Sequence, residues 1–266
     1  MNEAKIPATL AILTRNSGAT LARTLESARV FSDIVICDGG STDNTRAIAE
    51  GFGARVIMQD KEFLDRAGRI FDFAGVRNQT LDAAKHNWFF FLDSDEYCGQ
   101  DLIEAIRTVV SERTEGAFWV SRKYVLRGTV IDCASTYPNR QMRFFSRASV
   151  ERFVKKVHER IRVKEGTASE ELGGTMYIPF DGDVSTIRLK WEYQIAVEVA
   201  QRGSITLVEF LSAILDASKI SLLWLVRLFV NMLFCKGVHM PLRYEYERQR
   251  FHVRLLAALW EITKVV

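Results

Sequence analysis

Short apolar runs alternate with amphipathic stretches over the first hundred residues, and several of the runs stop abruptly at polar side chains. Ala8 to Leu13 leads into Thr14-Arg15-Asn16, Asp33 to Cys37 into Asp38-Gly39-Gly40, and Phe89 to Leu92 into Asp93-Ser94-Asp95-Glu96. Strands near 8–13, 33–37, 54–58 and 88–92, separated by helical stretches near 18–30, 43–51 and 68–85, predict a mostly parallel sheet. From about 116 to 180 the pattern changes to short strands, among them 116–120, 141–145 and 175–178, with a polar loop at 165–170. This reads as the mixed second half of one domain, residues 1–186, and no repeat or low-complexity linker interrupts it. From about 187 to 266 the chain turns helical. Between Ile205 and Cys235, Glu209, Asp216, Lys219 and Arg227 break the apolar runs below the ~20 residues of a membrane span. At about 100° per residue these charges leave a wide apolar face of Leu211, Ile214, Leu215, Leu222, Leu223, Trp224, Leu225, Phe229 and Leu233.

Such a face needs a cover, either the protein itself, a second subunit in a homo-oligomer, or an anionic membrane surface contacted in the plane. Charge adds modest weight to the last. Residues 184–266 hold eleven Lys/Arg against seven Asp/Glu, a net of +4 where the whole chain carries +3. Arg243, Arg248, Arg250 and Arg254 lie beside Tyr244, Tyr246 and Trp260, residue types found at lipid surfaces. The remaining composition, 48% hydrophobic and 26% charged, is that of an ordinary globular chain, and no nucleic-acid partner is expected. Cys37, Cys98, Cys133 and Cys235 are far apart, so neither a zinc site nor a disulfide framework is indicated, and a reducing cytosol is expected. Met1 to Lys5 runs directly into a strand, so no signal peptide is expected. With His86, His158, His239 and His252 also lacking ligand spacing, a metal site would be built from oxygen ligands suited to Mg2+ or Mn2+.

The chemistry concentrates at the strand ends. Asp93 and Asp95, one residue apart after a buried strand, are close enough to share a divalent cation, although acidic residues also mark strand ends and cap helices. After Asp38, Gly39-Gly40 permits a tight turn against a ligand, and Ser41, Thr42 or Asp43 can cap the next helix. Three polar strand ends on one sheet form the usual place for a ligand in an open α/β fold.

In that order, Thr14-Arg15-Asn16, Asp38-Gly39-Gly40-Ser41-Thr42-Asp43, Arg77-Asn78 and Asp93-Ser94-Asp95-Glu96 resemble the motifs of the family 2 inverting glycosyltransferases of GT-A fold. The chain is most similar to the group containing lipopolysaccharide core β-1,4-glucosyltransferases. Arg140-Gln141-Met142-Arg143-Phe144-Phe145 and Val157-His158-Glu159 extend the likeness to about residue 165. The usual acidic pair before the Gly-Ser-Thr-Asp element appears here as Asp38-Gly39, and Pro179-Phe180-Asp181-Gly182-Asp183 replaces an expected histidine-rich strand. The resemblance implies a Rossmann-like mixed α/β sheet with a C-terminal helical extension. It also implies a nucleotide-sugar donor, a UDP-sugar in the first place, and a glycan or lipid-linked acceptor. Asp95 would bind Mg2+ or Mn2+ directly, Asp93 would contact the metal or ribose, and Asp38 the base. Thr14, Arg15 and Asn16 would line the nucleoside pocket, and Arg77 would stabilise the diphosphate or orient the sugar. Glu159 is the expected general base, with Asp181 and Asp183 behind it. The implied location is cytoplasmic, including the cytoplasmic face of an inner membrane. A nucleotidyltransferase and a non-catalytic sugar-nucleotide-binding protein remain open at this point.

Overall fold

The computed structural model describes residues 4–156, 159–180 and 183–264. The chain divides into two compact units. The first contains residues 1–123 and 139–179, the second 124–138 and 180–266. The second unit thus takes the excursion Tyr124–Pro138 out of the stretch that reads in sequence as one domain, together with the helices.

In the first unit the chain runs β1 (Ile6–Thr14), α1 (Leu21–Ser27), β2 (Phe31–Asp38), α2 (Thr45–Gly51), β3 (Arg55–Met58), α3 (Phe73–Asp82) and β4 (Trp88–Asp93). Next come β5 (Tyr97–Cys98), α4 (Gln100–Glu112) and β6 (Ala117–Leu126), whose end carries the chain into the second unit. After β7 (Thr129–Val130) the first unit resumes with β8 (Arg140–Ser146), β9 (Val150–Val154), β10 (Arg160–Val163) and β11 (Ser169–Phe180). The sheet order is β3-β2-β1-β4-β8-β6-β11-β5. β1 pairs in parallel with both β2 and β4, and β2 with β3, whereas β8 runs antiparallel to β4. The alternation of strand and helix dictates the parallel half, because a crossover helix returns each strand to the same direction. The mixed α/β sheet is the one the motifs implied.

β4 is central because both its faces are apolar. Phe89, Phe90, Phe91 and Leu92 are buried between helices on either side. Phe89 stacks on Phe145 and Trp88 on Phe144 across the β4–β8 pairing. Burying such side chains stabilises by about 1.5–3 kcal/mol each, so the point where β4 ends is firmly fixed. α4 buries Leu102, Ile103, Ile106 and Val109 along one side. That 3–4 spacing is helical, although the strand–helix alternation alone did not place a helix there. The helical stretch near 68–85 begins only at Phe73, because Asp72 caps it by accepting from Gly75 N at 2.9 Å.

The second unit consists of the hairpin between the end of β6 and β7, then α5 (Val184–Arg202), β12 (Ile205–Thr206), α6 (Leu207–Phe234), α7 (Leu242–Glu261) and β13 (Thr263–Lys264). Its small core contains Ile131, Ala134, Met240 and Tyr244. A capping box starts α6: Thr206 Oγ1 accepts from Glu209 N, and the Glu209 carboxylate accepts from Thr206 N at 2.7 Å. Of the 28 residues of α6, Ala217 is the buried one, while Leu222, Phe229 and Phe234 are 63%, 64% and 74% exposed. Among the described residues no helix is long and apolar enough to cross a membrane. Trp224 stands 5.1 Å from His252 and Phe210 5.1 Å from Trp260, ring to ring, so part of the apolar face rests on α7.

Two expectations need correction. Arg248, Arg250 and Arg254 do not form a free basic surface, because Arg248 and Arg250 pair with Glu245 and Glu247, and Arg254 with Glu192 at 2.6 Å. Cys133 and Cys235, 102 residues apart, are joined as a disulfide, a proximity that spacing along the chain could not reveal.

Candidate active site

The parallel register aligns the three polar strand ends along one edge of the sheet. Thr14 pairs with Asp38 across β1–β2, and Leu13 with Asp93 across β1–β4. Asp38 and Asp93 are therefore two strand spacings apart, roughly 10 Å along the sheet.

Asp38 is fully buried and its carboxylate holds the turn that follows it. Oδ2 accepts from Gly40 N (3.2 Å), Ser41 N (2.9 Å) and Arg46 Nε (2.8 Å), and Oδ1 from Thr14 Oγ1 (3.1 Å) and Ser41 Oγ. Gly40 has φ +82°, the left-handed backbone that such a turn demands of glycine. Burial works to raise the Asp38 pKa, but the hydrogen bonds from Ser41, Arg46 and Thr14 prevail and lower it. Asn16 closes the other side of the turn, since its Oδ1 accepts from Thr42 N at 2.8 Å and its own N–H donates to Ser41 Oγ at 2.8 Å. Arg15 reaches away to the carbonyls of Ala67 and Gly68. The residues expected to line a nucleoside pocket thus build one braced loop.

At the end of β4 two buried arginines meet Asp93. Arg77, from α3, donates through Nη2 to Asp93 Oδ1, and Arg143, from β8, donates through Nη2 to Asp93 Oδ2 at 3.2 Å. The two guanidinium groups lie over the Phe91 ring at 4.6 and 4.5 Å. Arg143 also donates to Glu96 at 3.2 Å, and Glu96 accepts from Asp93 N at 2.9 Å, so the turn after β4 folds back on itself. Burial opposes ionisation of Asp93, but the charges of Arg143 and Arg77 hold its carboxyl well below the usual range. For Glu96 burial prevails, and its pKa is raised despite Arg143. Asp93 nonetheless keeps 46% of its side chain exposed, so it faces solvent on one side and positive charge on the other, while Glu96 is buried.

Asp95 lies one residue on, in a turn fixed by neighbours. Ser17 Oγ donates to Ser94 Oγ at 2.9 Å, Thr24 Oγ1 to the Ser94 carbonyl at 3.0 Å, and Arg23 Nη2 to the Asp95 carbonyl at 3.4 Å. Asp93 and Asp95 are carboxylates on a firmly held turn, the hard oxygen donors that Mg2+ and Mn2+ take, and both Asp93 oxygens are engaged by Arg77 and Arg143.

Glu159 reaches the same place from the second half of the unit. Its Oε1 accepts from Arg77 Nε at 3.5 Å, and 16% of its side chain is exposed. One guanidinium therefore touches both Asp93 and Glu159. Arg162 pairs with Glu151 at 3.4 Å. His158 and Asp181 lie outside the described residues. Asp183 is the N-cap of α5, accepting from Ser185 N at 2.8 Å. Arg143 and Glu96 are the site residues that motif reading left without roles. The signal for Arg143 was an arginine flanked by Met142 and Phe144 in a strand whose apolar side chains are buried on both faces. Beside the site, α3 and β9 border a cleft of about 580 Å³ lined by Asn78, Arg152, Lys155 and Lys156 among others; neither Asp93 nor Asp95 lines it.

Strand-end carboxylates on a mixed α/β sheet, beside a braced glycine turn, are an arrangement suited to a nucleotide ligand and a cation. The model of glycosyl transferase family 2 matches residues 9–152, more than half of the chain, and the protein belongs to that family. Among its relatives is the lipopolysaccharide core biosynthesis glycosyltransferase LpsC of Rhizobium meliloti, 28% identical over 179 residues, 65% of this chain and 63% of that protein. An uncharacterized glycosyltransferase of Rickettsia felis is 27% identical over 108 residues, 40% of this chain and 35% of that one. The chain spans less than two thirds of the length of these relatives. Among solved structures, S. aureus TarS 1–349 in complex with UDP-GlcNAc is similar with a TM-score of 0.45 at 15% identity, covering 96% of this chain and 80% of that one.

Proposed function

We propose that the protein transfers a sugar, with inversion, from a nucleoside diphosphate sugar to a glycan or glycolipid acceptor of the cell envelope. The observation that carries this reading is the guanidinium of Arg77, which touches Asp93 on the donor side and Glu159 on the other. A donor site and a base must be about this close, because the acceptor hydroxyl attacks the anomeric carbon while its proton leaves. The LpsC relative favours a lipopolysaccharide core acceptor.

In this reading the Asp38 turn, with Thr14, Arg15 and Asn16, forms the floor for the nucleoside, a UDP moiety in the first place. Asp95, with Asp93 beside it, holds Mg2+ or Mn2+; bound there, the cation would neutralise charge on the diphosphate as it leaves. Arg77 and Arg143 fix Asp93 in its ionised form, and Arg77 orients Glu159, whose carboxylate takes the acceptor proton. The test separates binding from chemistry. Glu159→Gln should lower transfer by roughly 10²–10⁴-fold and leave nucleotide-sugar affinity intact. Normal transfer by this variant would remove Glu159 from the mechanism.

We further propose that the helical unit brings the enzyme to the cytoplasmic face of an inner membrane, where a lipid-linked acceptor resides. Its support is the run of exposed Leu211, Leu215, Leu222, Phe229, Leu233 and Phe234 on α6, which suits in-plane contact better than spanning.

A further inference from the structure

We infer that Cys133, Cys235 and His239 form a binding site for a thiophilic divalent cation, zinc, within the helical unit. One ligand atom from each lies within 4.8 Å of the others. Their convergence is built by the backbone. Asp132 N and Cys133 N both donate to the Val238 carbonyl, at 2.8 and 3.0 Å, and Met240 N donates to the Cys133 carbonyl at 2.8 Å. The loop at 235–240 is thereby laid along 132–134 like a short strand pair, with Cys133 opposite His239. Gly237 permits this approach, since a Cβ there would stand 2.4 Å from the Asp132 Cβ.

The oxidised pair seen here accounts for two of the three residues. A disulfide has no use for an imidazole, yet His239 is drawn to the same point. Its Nε2 lies 3.0 Å from the Cys235 carbonyl, and with the proton on Nε2 donated there, Nδ1 carries the lone pair. Fixing a tautomer through a carbonyl is how ligating histidines are commonly oriented. The Cα atoms of the two cysteines are 6.2 Å apart, close enough that two thiolates could share one ion after side-chain rotation alone. Two thiolates, one imidazole and a water make a set that zinc accepts and that Mg2+ does not favour. Cys37 and Cys98 are not part of it: burial raises their thiols, to about 12 for Cys37, and keeps them inert.

The two states exclude each other. Glutathione, or another cellular thiol reductant, delivers two electrons to the Cys133–Cys235 bond, and two protons complete the thiols while the reductant becomes a disulfide. Zinc then displaces both thiol protons to solvent. Metal loading would thus hold the end of α6 to the segment after β7 in a thiol-reducing compartment, and the disulfide would do so in an oxidising one.

The full chain, reduced and kept anaerobic with excess Mg2+ to occupy the carboxylate site, is titrated with Zn2+ and, separately, with Co2+. The expected result is one ion per chain, a thiolate-to-Co2+ charge-transfer band, and loss of that band in Cys133→Ser and Cys235→Ser. His239→Ala, which leaves the thiol pair and the fold intact, should weaken zinc by more than the roughly 10–100-fold that outer-shell changes cost. The inference is overturned if the reduced parent gives no charge-transfer band, or if His239→Ala binds zinc as tightly as the parent. It is also overturned if protein taken from a reducing cytosol retains two titratable thiols in place of four.

Discussion

Two guanidinium groups grip Asp93, and what they do for it can be separated from what they do for the fold. Arg143 and Glu96 are both almost fully buried and bonded to each other. Removing Arg143 takes away the buried partner of Glu96 and leaves it only Arg122, whose Nη1 lies 3.6 Å away, at a cost approaching the about 3–5 kcal/mol of a broken buried pair. Arg143→Met should therefore lower stability by that order in denaturant unfolding, and the double change Arg143→Met with Glu96→Gln should recover more than half of it. No recovery would mean that Arg143 acts through Asp93 alone. At Asp38 the lowered pKa gives a pH signature. Its stabilisation is present above the unfolded carboxyl value of about 3.9 and is lost as pH falls through the lower folded value. Asp38→Asn should thus melt below the parent at neutral pH, with the gap closing on acidification below about pH 4. Thr14, Asn16, Asp38, Asp93 and Asp95 stood out in sequence because polar residues interrupted apolar runs, whereas Glu159 was marked only by the likeness of Val157-His158-Glu159 to a family motif. The arginine bridge did not, since nothing in the spacing of Arg77, Arg143 and Glu159 reveals that two arginines converge on Asp93 and that one of them also reaches Glu159.

Elements differed in how openly the sequence declared them. β1, β2 and β4 are apolar runs with polar stops, and they lie where that pattern puts them. α4 follows a two-residue strand with Gly99 as its N-cap, and so little punctuation hid it. The long α6 was legible as amphipathic, but its capping box becomes apparent only with Thr206 seen just outside the helix. Thr206→Ala should cost about 1 kcal/mol and lower the melting temperature by roughly 2–4 °C. An unchanged melting curve would mean that the first turn of α6 adds nothing to cooperative unfolding. The pairing of Arg248, Arg250 and Arg254 was hidden for another reason: their acidic partners Glu245, Glu247 and Glu192 look in sequence like ordinary solvated charges.

For the whole molecule, the sequence marked a helical change near residue 187 but could not show that Tyr124–Pro138 belongs with the helices, because such an excursion carries no composition shift. The apolar surface of α6 makes a membrane claim that can be tested away from the paired arginines. Leu222→Ser, Phe229→Ser and Leu233→Ser together should reduce co-sedimentation with anionic vesicles, and the parent should pellet with them. A parent that stays in the supernatant, monomeric or dimeric, would remove the membrane from the account. The central claim, a cation-assisted nucleotide-sugar site at the end of β4, is tested most directly by thermal unfolding with a UDP-sugar, with and without Mn2+. The account predicts that the two together raise the melting temperature of the parent, while Asp95→Asn, folded and equally stable without ligand, gains little. A nucleoside triphosphate stabilising the parent where nucleotide sugars do not, or an equal rise in Asp95→Asn, would contradict it.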